Sequence, residues 1–452
     1  MLEYGAMAPT MFGGLIVFLL FGFPVAFSLS ALGLFFGALA IHVGYFGPEF
    51  LQALPYRTFG IMSNELLLAI PFFTFMGAIL ERSGLAEDLL EGMGQLFGPV
   101  PGGLAYAVIF VGAILGAITG TVAASVIAMG MITIPVMMRY GYDMRIGTGV
   151  VAASGTITQV IPPSLVLIVL ADQLGVSVGD MYLGAVGPSI LQLLLFTLFI
   201  LAVSIIQPHR VPPLPKEART LRGWALASKV LWGMVPSLVL IFLVLGTIFL
   251  GLATPTEAGA MGAVGAIVLA FLHRRYTRAM MWQAMVTTAR ITSMVVFILI
   301  GATVFSLVFQ GVNGGRWIEH MLSSLPGGVV GYLVFVNVFV FFLAFFLDFF
   351  EIVFIVVPML VPVARALGID MIWFGLLLCV NMQTSFMHPP FGFALFYLRA
   401  IAPKEVKTSD IYWGSFPWIG LQLVLVAIMI FWPQSVTYWI APHATLDATA
   451  VE

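Results

Sequence analysis

The chain has 452 residues, of which 61% are hydrophobic and 8% charged, and its net charge is −2. A soluble domain carries about 25% charged residues, so this composition cannot clothe a water-facing surface. No Lys/Arg cluster on the scale of a nucleic-acid footprint is present either, which excludes a DNA or RNA partner and leaves a membrane protein with a small cargo.

A helix needs about 20 apolar residues to cross a hydrocarbon core, and apolar stretches of that kind recur from Pro9 to Trp432. They are continuous rather than alternating, which rejects a β-barrel and predicts an all-α polytopic membrane protein. The first basic residue is Arg57, so the basic region of a cleavable signal peptide is missing and the first apolar segment is expected to remain in the protein. Apolar segments are predicted at 11–42, 61–81, 104–138, 144–171, 181–206, 230–272, 291–310, 329–365, 371–400 and 411–432.

After Pro101–Gly103 an apolar stretch of about 12 residues (Leu104 to Leu115), too short to span, runs into GAITGT and returns from Val122 to Met138. That pattern predicts a re-entrant hairpin with a Gly/Thr-rich tip. The next helix, from Met144 to Ala171, is interrupted at GTITQVIPPS, where a proline pair removes two N–H donors and disfavours helix before it. The polar connection from Gln207 to Lys229 carries five Lys/Arg residues and is assigned to the cytoplasm by the positive-inside rule. A second basic cluster, His273 to Arg278, follows a helical pair joined by LATPTEAGA, so that turn faces outward. Farther on, a stretch from Val329 to Phe346 turns at LDFFE and returns through Ile352 to Ala366, and the helix from Met371 to Ala400 is interrupted at NMQTSFMHPPFG.

These features repeat. Residues 135–163 align without gaps on 362–390 at a separation of 227, with seven identities in 29 positions: Pro135/Pro362, Val136/Val363, Gly141/Gly368, Asp143/Asp370, Met144/Met371, Pro162/Pro389 and Pro163/Pro390. Two equivalent halves, each supplying a hairpin tip and a broken helix, are a recurring plan of secondary transporters. Arg139 and Arg145 flank the first hairpin's return helix where only Arg365 flanks the second, a bias that fits opposite orientations.

Opened carbonyls and hydroxyls at such breaks coordinate a hard cation such as sodium, while half-helix N-termini attract a carboxylate. The candidate sodium and substrate ligands are Gly116, Thr119, Gly120 and Thr121 with Ser154, Gly155, Thr156 and Thr158 in the first half. In the second they are Asp348, Glu351, Asn381, Gln383, Thr384 and Ser385. Arg399 is a candidate anion contact, and Thr256 and Glu257 form a motif of open role. No organic cofactor or transition metal is expected. Cys379 reads as a small core residue.

The stretches Gly116 to Asp143, Gln159 to Ala171, Thr254 to Ala263 and Pro389 to Pro403 together resemble the large transmembrane M subunit of TRAP transporters, the tripartite ATP-independent periplasmic systems. The resemblance covers essentially the whole length. It implies a sodium-coupled importer of a small organic acid in a bacterial or archaeal inner membrane, moving as an elevator. It also implies two partners: a separate small four-helix Q membrane subunit and a periplasmic substrate-binding protein. The corresponding division is scaffold at 1–100, first hairpin and broken helix at 101–172, scaffold and linker at 173–325, second hairpin and broken helix at 326–402, and a C-terminal helix and tail at 403–452. A stand-alone sodium/carboxylate symporter of similar fold is the competing transporter reading. An intramembrane enzyme is disfavoured, because there is no HExxH and His388 has no second histidine nearby.

Overall fold

The computed structural model describes residues 5–323, 325–389 and 392–440, and no β-strand occurs among them. Eight helices among the described residues are long and apolar enough to cross a membrane, or up to nine if one bent pair counts as a single span.

The first apolar segment divides into α1 (Met7–Leu20) and α2 (Val25–Val43), because Gly22 adopts a left-handed φ of +75° and Pro24 caps the second helix. The bent pair is α3 (Ala53–Met62) and α4 (Ala69–Arg82), which meet at 47° across a break whose 3-10 turn is capped by Asn64. Next come α5 (Leu85–Phe97), α6 (Gly103–Thr119), α7 (Val122–Arg139), α8 (Met144–Thr156), α9 (Leu165–Leu174) and α10 (Val178–Ile206). The middle of the chain supplies α11 (Gly223–Phe249), α12 (Pro255–Leu272), α13 (Arg278–Gly311) and α14 (Gly314–Ser323). The second set is α15 (Gly328–Leu343), the short α16 (Phe349–Glu351) continuing through a π-turn into α17 (Val357–Ala366), then α18 (Met371–Met382), α19 (Phe393–Ile401), α20 (Thr408–Phe431) and α21 (Gln434–Thr437).

Three of the boundaries read in the sequence shift. The arm of the first hairpin is not a stub of about 12 residues: α6 has 17, about 25 Å of helix. Gly116 lies within α6, close against the α8 break, and the chain turns only at Gly120. The polar linker ends at Arg222 rather than Lys229, since GWALASK already forms the first turns of α11. Helix α13 begins at Arg278 rather than 291: Thr277 caps it by accepting the Met280 N–H at 3.1 Å, and its first turns are amphipathic, burying Met280 and Ala284 while exposing Arg290. Helices α5 and α14 lie outside the apolar segments, because each balances an apolar face with a polar one, while α3, which overlaps the 61–81 segment only at its last two residues, buries none of its residues.

Burial places the interrupted helices at the centre. Every residue from Ile146 to Thr156 in α8 is buried, as is every residue from Ile372 to Met382 in α18. By contrast α10, α11 and α12 expose apolar faces such as Leu194, Leu198, Phe242 and Val264, as helices facing hydrocarbon do. Helix α13 lies along α2 and α4, and α12 along α4 and α11; α8 contacts α6, α7 and α20, and α18 contacts α9, α10, α15 and α20.

Helix α12 carries the Thr256/Glu257 motif. Thr254 and Glu257 form a reciprocal cap, with Glu257 Oε2 accepting the Thr254 N–H at 2.7 Å, and Thr256 Oγ1 donates to Glu65 O at 2.9 Å. The motif fixes the start of α12 against the α3–α4 break. Thr254→Val removes the hydroxyl cap, costing about 1 kcal/mol. A lower melting temperature with unchanged uptake per folded molecule is the expected result, read by thermal unfolding alongside a transport assay.

Candidate functional site

The first tip is built by glycine. Gly120 closes α6 with φ +62°, a conformation that side chains resist. Thr121 is extended and starts α7, but its side chain makes no cap, so the first N–H groups of α7 are left open. Two other glycines set how closely α6 approaches the first break. A Cβ on Gly112 would stand 2.7 Å from Ser154 Cβ, and one on Gly116 2.9 Å from Thr158 Cα. Gly155 does the same towards α7, where a Cβ would meet Val126 Cγ2 at 2.2 Å. Gly116 and Gly155 therefore act in close packing, the common use of small residues in membrane helices.

At the first break α8 gives way to a 3-10 turn, Ile157–Gln159, and α9 restarts at Leu165. Ser164 holds the restart, accepting the Val166 N–H at 3.2 Å while donating to Gln159 O at 2.7 Å. The second break is parallel: α18 passes into a 3-10 turn, Gln383–Met387, in which Thr384 donates to Asn381 O at 2.7 Å and Ser385 to Met382 O at 2.6 Å. His388 stacks on Phe345, with ring centroids 4.0 Å apart, and packs edge-on to Phe341. Helix α19 then starts at Phe393 with no side-chain cap at Gly392. Pro390 and Phe391 of that break lie outside the described residues.

The second tip differs in chemistry. Asp348 accepts the Phe349 N–H and Glu351 Oε2 accepts the Asp348 N–H at 2.9 Å, so the helical run Phe349–Ala366 is capped by its own carboxylates.

These pieces converge. A cavity of about 310 Å³ is lined by Gly120 to Ala123 at the start of α7, Leu165 and Val166 at the start of α9, Asp348 to Phe350 at the second tip and Phe393 at the start of α19. Gln159 and Phe386 from the two breaks, Tyr397, and Ile291 and Met294 of α13 complete it. Four helix N-termini therefore point at one space. Each carries a partial positive charge of about half a unit, and those of α7 and α19 have no side-chain cap. On the same walls stand the Asp348 carboxylate and Gln159, whose Oε1 is buried with no partner among the described residues. Open N–H groups receive an anion, and a carboxylate with an amide oxygen receives a cation. A larger space of about 550 Å³ between α6, α10 and α11 has almost wholly apolar walls and lacks this chemistry.

Of the residues singled out in the sequence, Gly120, Thr121 and Asp348 line the cavity. Glu351 reaches it only through the cap on Asp348. Ser154 and Thr158 are fully buried, with hydroxyls lacking partners among the described residues. Thr119 ends α6, and its side chain lies outside the described residues. Arg399 does not line the cavity: its guanidinium donates to Val406 O at 2.7 Å. Arg399→Gln is expected to leave the KM of uptake unchanged, measured by concentration-dependent transport. Thr256 and Glu257 sit on α12, away from both breaks.

Sequence reading missed a buried amide cluster. Gln383 Oε1 accepts from Gln192 Nε2 of α10 at 2.6 Å and from Gln422 Nε2 of α20 at 3.2 Å, and Gln422 also donates to Thr156 Oγ1 at 3.0 Å. Asn381 donates to Asn337 O, inside α15, at 2.6 Å. The signal was available: Gln192, Asn337 and Gln422 are lone amides within otherwise apolar helical stretches, and such residues face protein rather than lipid. The sequence also holds one GxSxG match, Gly175 to Gly179. Its Ser177 is only the N-cap of α10, accepting the Asp180 N–H at 3.4 Å.

Known proteins agree with this architecture. The chain is 32% identical over 399 residues to the C4-dicarboxylate TRAP transporter large permease protein DctM of Pseudomonas aeruginosa, covering 88% of this chain and 91% of that one. It is 28% identical to the ectoine/5-hydroxyectoine TRAP transporter large permease protein UehC of Ruegeria pomeroyi, covering 95% and 97%. Among solved structures it resembles the YdaH transporter of Alcanivorax borkumensis, with a TM-score of 0.60 at 17% identity over 84% of this chain and 88% of that one, a likeness of fold. The family model described as "Tripartite ATP-independent periplasmic transporter, DctM component" matches residues 12–435. A multi-pass helical protein with paired helix breaks around a central cavity, this chain belongs to the DctM component family of TRAP transporters.

Proposed function

We propose that the chain carries a small organic acid into the cell together with sodium, and that the acid and at least one sodium ion meet in the central cavity. The observation that carries this reading is the convergence of uncapped helix N-termini and the Asp348 carboxylate on one space. An anion alone would be repelled by Asp348, and a cation alone would be opposed by the helix dipoles. Together they neutralise each other, which couples the two fluxes.

Contacts support opposite orientation of the two hairpins. The basic linker 207–222, cytoplasmic by its charge, holds both outer ends of the first: Gly102 N donates to Val211 O at 2.8 Å, and Arg210 pairs with Asp143 at 2.6 Å. The second hairpin ends at Arg365, which donates to Leu174 O at the far end of α9. That end lies with the outward turn before α12, through Asn64 to Asp172 at 2.7 Å and Thr256 to Glu65 at 2.9 Å. Inverted repeats of this kind underlie alternating access. In this reading 101–172 and 326–402 move as one body past the remaining helices, in the inner membrane of a bacterium or archaeon.

A four-helix Q chain and a periplasmic binding protein complete the system; one relative, the isethionate TRAP transporter permease protein DctMQ of Oleidesulfovibrio alaskensis, carries both letters in its name. The test is uptake into proteoliposomes holding the chain and its Q partner, with binding protein outside. Accumulation against a gradient is expected only with inward sodium and binding protein. Accumulation under potassium alone would remove the coupling claim, and accumulation without binding protein would favour the stand-alone symporter.

A further inference from the structure

We infer that the chain holds an anionic phospholipid in a groove at the cytoplasmic boundary of the membrane, where α8, α10 and α20 meet, with the lipid phosphate on Arg145 and Arg210.

The groove encloses about 460 Å³ and shares no lining residue with the central cavity. One wall is an apolar face of α10: Phe199, Ala202, Val203 and Ile206 recur at i, i+3, i+4 and i+7, over about 10 Å of helix. Pro417 and Trp418 of α20 form another, and Trp418 packs edge-on to Phe199 with ring centroids 5.1 Å apart. The polar part of the lining is Arg145 at the start of α8, Gln207 and Arg210 just beyond α10, and Trp413 near the start of α20.

The cationic part is placed to receive an anion. Arg145 gives Nε to Asp410 Oδ1 at 3.1 Å, and its two terminal nitrogens donate no hydrogen bond among the described residues. Arg210 is anchored, donating from Nε to Asp143 Oδ2 at 2.7 Å and from Nη1 to Gln207 Oε1 at 2.7 Å. Asp143 also accepts the Arg145 N–H at 2.8 Å and donates its own N–H to Arg210 O at 2.9 Å, which holds the two arginines beside one residue. Neither Asp143 nor Asp410 lines the groove, so its described lining carries two guanidiniums and no carboxylate.

Position decides where the anion comes from. The linker that carries Arg210 is cytoplasmic by its charge, and Ile205, Ile206, Trp413 and Phe416 expose apolar side chains around the groove. A soluble phosphate would leave the α10 face bare. A phospholipid sets its phosphodiester on the arginines, whose planar donors suit phosphate oxygens, and lays an acyl chain along Phe199, Ala202 and Val203. Basic pockets between membrane helices on this side of the membrane suit anionic head groups. A choline head group carries the same phosphate but adds a cation beside two guanidiniums, so the groove favours a lipid of net negative charge.

The complex of this chain with its Q partner, purified in an uncharged detergent, is titrated with dioctanoyl phosphatidylglycerol, dioctanoyl phosphatidylcholine and inorganic phosphate, following the melting temperature. Phosphatidylglycerol is expected to stabilise the complex at a half-saturating concentration about tenfold or more below that of phosphatidylcholine, and inorganic phosphate to have no effect over the same range. Arg145→Gln should raise the phosphatidylglycerol value about fivefold. Asp410→Asn breaks the same ion pair but keeps the guanidinium, and should preserve the preference. Ala202→Trp, at an exposed position of α10, fills the apolar wall and should raise the value for both lipids. Equal responses to the two lipids, or a preference lost as fully in Asp410→Asn as in Arg145→Gln, overturn the phosphate contact. Stabilisation by inorganic phosphate that matches phosphatidylglycerol and survives Ala202→Trp overturns the lipid in favour of a free anion. A preference that neither Arg145→Gln nor Ala202→Trp changes overturns the location, and the absence of any lipid effect overturns the site.

Discussion

Gln383→Leu is expected to lower the melting temperature sharply, because it removes the acceptor shared by Gln192 and Gln422. All three side chains are fully buried. Gln192 loses the acceptor of its side-chain amide, whereas Gln422 keeps Thr156 at 3.0 Å. The change strands the Gln192 donor but also removes Gln383 Nε2, a buried donor with no partner among the described residues, so the expected cost is that of the two lost bonds, about 1–3 kcal/mol. Replacing Gln192, Gln383 and Gln422 together by leucine removes the unmet donors as well as the bonds. The triple variant should then recover much of the lost stability, since exchanging every partner for apolar groups is close to neutral. A triple variant no more stable than Gln383→Leu would show that the stranded Gln192 donor is not what the single variant suffers from. The cluster joins α10 and α20 to both broken helices, and Thr156 and Gln383 are separated by 383 − 156 = 227, the interval of the sequence repeat. Each half thus holds the other's break.

Gly116→Val should abolish uptake. The added Cβ meets backbone, Thr158 Cα at 2.9 Å and Thr158 N at 3.2 Å, and backbone cannot rotate aside as a side chain can. Overpacking of this kind costs about 1–3 kcal/mol, and the relief available is a shift of α6 away from the break, which carries the Gly120–Thr121 tip with it. Gly120→Ala makes a useful contrast. Nothing lies within 4 Å of its Cβ position, but its φ is +62°, so the cost is left-handed strain of about 1–2 kcal/mol without steric displacement. Uptake by Gly120→Ala should therefore be reduced less than by Gly116→Val, measured as initial rates normalised to folded protein. The reverse order would mean that tip conformation matters more than helix approach.

The breaks were legible because glycine and proline act locally. Gly120, the Pro162–Pro163 pair and the LDFFE tip interrupt helices for reasons contained within a few residues, and the 227-residue repeat pairs one break with the other. The central position of α8 and α18 followed from the same logic, since opened backbone cannot face lipid. What escaped depends on partners distant in sequence. Gly116 looked like part of a turn, but it is a contact point whose meaning comes from Thr158. Gln192 and Gln422 gain theirs from Gln383. Helix α5, and the first turns of α13, are too polar on one face to register as apolar runs, although Leu85, Leu89 and Met93 are buried. Arg399 drew attention by its charge near a break, and only the position of Val406 shows where that charge is spent.

Modification of a single cysteine at the first tip tests the central cavity most directly. In a Cys379→Ala background, Thr121→Cys is treated with a methanethiosulfonate reagent, and the modification rate is followed in sodium or potassium with benzoate or succinate present. An acid that the system takes up should slow the reaction in sodium and not in potassium, and full modification should stop uptake. An unchanged rate under every condition, with uptake intact after complete modification, would contradict the cavity as the place where cargo and sodium meet.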